Sequence, residues 1–353
     1  MNDFCGIASD PLLSDGLELT TTGEPARPLI VLDLDSCRDA TPAQIGRVAA
    51  MARESLSLVV AVLHSPMDPR LGPILSAATL TLTEHPESEF RELVRVEDTA
   101  KALTELRTAV SRSPCAAVAC GQLLRQTAVL DTGPALAAEA AVYSMLLGGP
   151  EFAHWLTERG PAKPALPHGR DLIRLQRADR HLSIVLDRPD RRNALDAQLR
   201  EELLAAAQLA IADPDITTVQ LSGAGPAFCS GGDLDEFGSA TDPVAAYLVR
   251  LDRAPWRVFD RLADRLVVRT HGACVGAGAE LAAFGGTVTA APGTYFRFPE
   301  VRMGLIPGAG GTVSVPRRIG RWRAAWAMLT GVRLDTSTAL RWGLIDQVEH
   351  DHA

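Results

Sequence analysis

The sequence predicts an α/β fold with a largely parallel sheet, and three observations carry that prediction. Short runs rich in Val, Ile and Leu recur along the chain. Stretches with apolar residues at helical spacing separate them, and glycine-rich turns join the two. With 46% apolar and 22% charged residues over 353 positions, the chain has enough apolar material for one large or two modest domains.

The elements follow in order. Leu29-Ile-Val-Leu-Asp-Leu reads as a strand, Thr41 to about Glu54 as a helix, and Leu58-Val-Val-Ala-Val-Leu63 as a second strand. From about Val96 to Arg159 the chain is Ala/Leu-rich with helical period, broken near Asp131-Thr-Gly-Pro134. The Pro/Gly-rich stretch 160–169 then divides the chain into predicted domains 1–165 and 170–353. Beyond it, His181–Leu186 reads as a strand, Asp196 to about Ile211 as an amphipathic helix, and Val219–Ser222 as a strand. A helix is expected from about Pro243 to Ala263, and Leu266–Thr270 is a further strand. Both halves open with strand, helix, buried strand and loop, which suggests a degenerate internal duplication.

Bulk properties exclude several classes. A formal charge of −8 argues against nonspecific nucleic-acid binding, which depends on clustered cations. Arg317, Arg318, Arg321 and Arg323 form a local basic cluster, readable either as a solvated helix face or as a phosphate contact. The six cysteines are scattered without CxxC pairs, so neither a disulfide framework nor a metal site is expected. Met1 to Gly23 lacks a basic segment followed by an apolar run, and no run reaches membrane-spanning length. The expectation is a cytoplasmic protein with no membrane or nucleic-acid partner.

Glu280 and Glu300, twenty positions apart, stand in apolar, glycine-punctuated segments: His271-Gly-Ala-Cys-Val-Gly-Ala-Gly-Ala-Glu280 and Phe298-Pro-Glu300, which runs on to Pro307-Gly-Ala-Gly-Gly-Thr312. Carboxylates in such surroundings are costly unless their charge or proton is compensated or used. Three glycine-rich elements, at Gly231-Gly232-Asp233, Gly276–Glu280 and Pro307–Thr312, each lead into a helix. Their exposed N–H groups could hold an anion, and two converging on one carbonyl oxygen would form an oxyanion hole. None is a clean dinucleotide-binding fingerprint.

Taken together, these motifs resemble the crotonase (enoyl-CoA hydratase/isomerase) superfamily from about Leu182 to Val348. Leu186-Asp-Arg-Pro-Asp-Arg-Arg-Asn-Ala-Leu195, Gly225–Phe237, the two glutamate segments, Leu329–Leu334 and Ala339–Asp346 carry the likeness. The resemblance implies a spiral of ββα units. It implies that the amides of Gly232 and Ala277 form the oxyanion hole, that Glu280 and Glu300 are the acid/base pair, and that Gly308 helps hold the reacting water. Many relatives have glycine where this chain has Ala277.

The implied reaction is addition of water to an α,β-unsaturated acyl thioester, or its reversal, without a cofactor or metal. The thioester could be carried by CoA or by carrier-protein pantetheine. Isomerisation, decarboxylation, cofactor-free oxygenation of an acyl-CoA, and a non-catalytic scaffold subunit are the alternatives. The resemblance also implies a homotrimer or hexamer.

Three departures stand out. The helices that usually follow the Gly-Leu-Ile-Asp motif are absent there, while residues from about Asp98 to Ala162 look similar to them. The N-terminal domain is therefore expected to be a degenerate crotonase-like copy with a helical segment that supplies a lid and oligomer contacts. The chain has only two lysines, Lys101 and Lys163. Arg191 and Arg192 are therefore the candidate contacts to the nucleotide end of CoA. In addition, Gly285-Gly286 replaces a Cys-Asp pair common among relatives.

Overall fold

The computed structural model describes residues 16–86, 90–163 and 169–349. Most of Met1–Gly23, Cys5, and residues 164–168 of the Pro/Gly-rich divider lie outside them.

The N-terminal region alternates β1 (Leu29–Asp33), α1 (Pro42–Glu54), β2 (Leu58–Leu63), α2 (Gly72–Ala77), β3 (Leu80–Thr83) and β4 (Leu93–Arg95). The four strands form a separate parallel sheet in sequence order. Strand β2 is buried along its whole length, as expected of a parallel strand covered on both faces. Its alternate residues divide between two cores. Val59, Ala61 and Leu63 join the cluster under α1 and α2, whereas Leu58, Val60 and Val62 face the large cluster that continues into the C-terminal half.

Four helices follow: α3 (Thr99–Arg112), α4 (Pro114–Thr127), α5 (Thr132–Leu147) and α6 (Pro150–Arg159). The sequence indicated the break before α5. It did not separate α3 from α4 or α5 from α6, where Pro114 and Pro150 each take the first helical position. Helix α4 lies tight on β2. A Cβ placed on Gly121 would sit 2.2 Å from Leu58 Cδ2, so the glycine permits the approach.

The C-terminal region begins with β5 (Ile173–Ala178), β6 (His181–Leu186), α7 (Ala197–Ala212), β7 (Thr218–Gly223), α8 (Pro243–Asp252) and α9 (Pro255–Leu262). It continues with β8 (Leu266–Thr270), β9 (Ala273–Val275), α10 (Ala277–Ala282), β10 (Thr287–Ala290) and β11 (Tyr295–Arg297). The last elements are α11 (Gly311–Ile319), α12 (Arg321–Thr330), β12 (Leu334–Asp335), α13 (Thr336–Trp342) and β13 (Gln347–Val348). A six-stranded sheet runs in the order β13-β10-β8-β7-β6-β5, parallel except for β5. A three-stranded sheet, β12-β11-β9, lies beside it.

The single helix expected over 243–263 is two helices. Pro255 disfavours helical backbone at Ala254 and cannot donate to the helical ladder, so the chain breaks there and restarts. Strand β5 escaped the sequence reading because only Ile173 is buried in it, leaving no alternation to see.

One contiguous core contains residues of both halves, from Val31 to Ile345. Helices α3 and α4 pack on α12, α4 and α5 on α11, and α5 on α8. Polar contacts reinforce the joint: Thr127 Oγ1 donates to Thr312 O at 2.7 Å, and Arg321 Nη1 donates to Ala78 O at 3.0 Å.

The arginines of the basic cluster are engaged within the fold and do not form a solvated helix face. Arg317 pairs with Asp260 and donates to Thr132, Arg318 pairs with Asp346, and Arg323 is buried over the Trp342 ring. Among the described residues, no helix is long and apolar enough to cross a membrane.

Candidate active site

The site forms where loops leave the carboxyl ends of the parallel strands β7 and β8, the usual place for chemistry in such sheets. The loop after β7 is held on both sides. On one side Phe228 N donates to His271 O and Val275 N to Cys229 O, at 2.8 and 3.0 Å. On the other, Leu195 N donates to Gly231 O at 2.8 Å and Asp233 N to Leu195 O at 2.9 Å.

Asn193 locks this arrangement. It is fully buried in the left-handed region, φ 56°, which Asn tolerates better than most residues. Its Nδ2 donates to Ala224 O, Ala227 O and Phe228 O within 3.0 Å, while Oδ1 accepts from Arg188 N at 2.8 Å. Asn193→Ala strands several buried polar groups and should lower the unfolding free energy by about 3 kcal/mol, read as a fall in the urea midpoint.

Asp233 is fixed by Arg188 at 2.8 Å and Arg191 at 3.0 Å. Burial would raise its carboxyl, but the Asp235 N–H and the two guanidinium groups outweigh it and hold Asp233 below its ordinary value. Arg191 also pairs with Asp235, so this cation is committed within the fold. Arg192 is exposed, in the left-handed region, and its side chain has no ion pair among the described residues.

Gly232 and Ala277 stand on loops in contact, since a Cβ on Gly276 would come 3.8 Å from Gly231 Cα. Ala277 is the first residue of α10, and among the described residues neither its N–H nor that of Gly232 is taken by a protein acceptor. The Phe237 ring covers Gly232. A Cβ there would lie 2.9 Å from Phe237 Cε2. Phe237 in turn meets Trp155 of α6 at 5.9 Å between ring centroids, and Trp155 stacks on Phe152 at 5.8 Å.

Glu280 and Glu300 come together as buried groups, 1% and 8% exposed. Glu280 Oε2 accepts from Ala309 N at 2.7 Å and Gly311 N at 2.8 Å. Gly311 must be glycine for this, because a Cβ would lie 2.4 Å from Glu280 Cγ. Glu300 differs: its Oε2 is buried and has no hydrogen-bond partner among the described residues. Gly308 offers its carbonyl to Arg250 Nη1 at 2.8 Å, and the Arg250 guanidinium stacks 3.6 Å from the Tyr143 ring centroid.

A third carboxylate, Glu139 of α5, lies in the same cluster at 1% exposure. Its Oε1 accepts from Gly310 N at 2.7 Å. Its Oε2 accepts from Thr312 N at 2.9 Å and Thr312 Oγ1 at 2.7 Å. The two glutamates thus take alternate amides of one turn: Glu280 those of 309 and 311, Glu139 those of 310 and 312.

All three carboxyls titrate upward, and burial is the main cause. Glu300 is pushed to about 8 by burial and then by the Glu139 charge, against its own backbone N–H and Arg297. Glu280 rises well above its ordinary value through burial and the Glu300 and Glu139 charges, opposed by its two amide donors. Glu139 rises to about 7, with burial opposed by its three donors and Arg250.

Glu139, Tyr143 and Arg250 escaped the sequence reading. The signal for Glu139 was present, since it is the only charged side chain in the sixteen-residue helix α5.

Comparison with known proteins places the chain in a family. The profile of the enoyl-CoA hydratase/isomerase family matches residues 180–352. A probable enoyl-CoA hydratase of Mycobacterium tuberculosis is 35% identical over 175 residues, 49% of this chain and 68% of the relative. A 1,2-epoxyphenylacetyl-CoA isomerase of Escherichia coli is 34% identical over 48% of this chain and 66% of its own. The solved enoyl-CoA hydratase of Bacillus anthracis is 29% identical, covers 51% of this chain and 71% of its own, and superposes with a TM-score of 0.48. With its catalytic-type loops and paired glutamates inside the matched segment, the chain belongs to the enoyl-CoA hydratase/isomerase family.

Proposed function

We propose that the protein hydrates a 2-enoyl thioester, or dehydrates the 3-hydroxyacyl product. The observation that carries this reading is the pair of buried glutamates with unequal hydrogen bonding. Glu280, with two amide donors, suits the carboxylate; Glu300, with an oxygen facing no donor, suits the acid. The thioester carbonyl lies between the Gly232 and Ala277 amides, which stabilise the enolate-like charge; one such donor is worth about 2.7–4 kcal/mol in the barrier.

Glu280 takes a proton from water as the water oxygen bonds to Cβ, and Glu300 gives its proton to Cα. The proton on Glu280 then returns to Glu300, which resets the pair. Gly308 borders the water position, held through its carbonyl by Arg250. Arg192 is the cation left to meet the nucleotide end of CoA, because Arg191 is paired with Asp233 and Asp235. No cofactor is required for this chemistry.

The test is mass spectrometry of short and aromatic enoyl thioesters, on CoA and on carrier protein, incubated with the full chain. Hydration adds the mass of one water. An unchanged mass with a moved double bond would replace this reading with isomerisation, and added oxygen would replace it with oxygenation.

A further inference from the structure

We propose that Glu139 is a positioning residue for this reaction: it clamps the 309–312 turn in the shape that presents two amides to Glu280, so the N-terminal half of the chain completes the site. The inference rests on the hydration reading for its catalytic meaning. The geometry stands apart from that reading.

Three contacts hold Glu139 to Gly310 and Thr312, all donated to the carboxylate. Glu280 takes the intervening amides, so the turn is gripped from both sides. Removing Glu139 would leave two buried amides and a hydroxyl unpaired, and the turn would twist to find water. Glu280 would lose its alignment with the turn, and displacement of about 1 Å at a reacting group costs on the order of 10²-fold in rate. Ser314 Oγ, which donates to Glu280 O at 2.8 Å, lies on the helix this turn begins.

A second effect follows from charge. Glu139 receives three donors and offers its proton to no acceptor among the described residues, the pattern of an ionised group. The charged or titratable groups that face it are Tyr143 on its own helix, Cys120 on α4, Arg250 on α8, Glu280 on α10, and Glu300. Of these, Arg250 alone offsets its charge. Its remaining field raises Glu280 and Glu300 alike, and at Glu300 it favours the protonated form an acid needs.

The test uses the full chain with Glu139→Gln and, as the milder change, Thr312→Val, which removes one donor and keeps the shape. For Glu139→Gln the expected result is a fall in kcat of about 10- to 100-fold with little change in KM. The alkaline limb of the pH–rate profile should move to lower pH. Amide exchange across 309–312 should be faster by about tenfold or more, while exchange in β7 and β8 stays unchanged. Thr312→Val should move every readout the same way by less, and it decides the matter if Glu139→Gln does not fold. Unchanged exchange in the turn overturns the clamp. Faster exchange with an unmoved rate and pH limb overturns the catalytic role. A wild-type chain that hydrates no enoyl thioester refutes the hydration reading instead, and the exchange data still decide the clamp.

Discussion

Glu300→Gln is expected to abolish most hydration while making the folded protein more stable above neutral pH. Gln keeps the shape and burial of Glu300 but cannot carry the transferred proton, so kcat should fall about 10²–10⁴-fold with KM little altered. The stability change follows from the same burial. The Glu300 carboxyl rises from an ordinary 4.5 to about 8 on folding, so between those values the native state binds more protons than the unfolded chain. Stability therefore falls as pH rises through this window, being fully retained below about 4.5 and lost once Glu300 ionises near 8. A side chain that is always neutral escapes the loss. At pH 8 the variant should be more stable by an amount on the order of a few kcal/mol, and the gap should close near pH 4.5. Urea unfolding of both proteins at pH 5 and pH 8 measures it. Equal stability at both values would mean that Glu300 is not held neutral, and Glu280 would then be the better choice for the acid. Glu280→Gln should also lose activity, with the added loss of one geometry: its Oε2 accepts two amides, and an amide nitrogen turned to that side would meet two donors.

Carboxyls raised by burial in this way cluster at functional sites. Local motifs explain which parts of the candidate site were legible in the sequence. Glu280 and Glu300 stand inside glycine-rich motifs whose purpose is local. Gly276 brings β9 past Glu300, and Gly311 leaves room for Glu280, so residue types and spacing carried the information. The strands β1, β2, β6, β7 and β8 were legible for a similar reason, because their apolar runs are buried along one or both faces.

Glu139 was not legible in this sense. Its partners lie 171 and 173 positions away, and no local pattern says which loop a lone acid on an apolar helix will meet. Arg191 illustrates the converse. As a cation beside the family motif it looked available for a phosphate. Asp233 and Asp235, more than forty positions on, occupy it in the fold. The break between α8 and α9 was written in Pro255, but the apolar period continues across it and hid the interruption.

Deleting residues 1–165 should leave a C-terminal fragment that is insoluble or, if soluble, without hydratase activity. Leu106, Val110, Leu123, Leu124, Leu136 and Phe152 are all buried in the core shared with the C-terminal half. Burial of each is worth about 1.5–3 kcal/mol. Even half of that total is comparable with the roughly 5–15 kcal/mol by which a whole domain is stable. The deletion would also uncover the apolar faces of α11 and α12 and remove Glu139, Tyr143 and the Trp155–Phe237 contact from the site. Replacing Glu139 alone should leave a folded protein of low activity, whereas the deletion should cost the fold itself. Sedimentation, near-UV circular dichroism and thioester turnover separate the two results. A monodisperse, cooperatively unfolding fragment with wild-type turnover would show that the N-terminal helices are an appendage. Recovery of the fold without turnover would place their contribution in the site itself, where the N-terminal half supplies the Glu139 bonds to the turn beside Glu280, Tyr143 against Arg250, and Trp155 against the Phe237 ring.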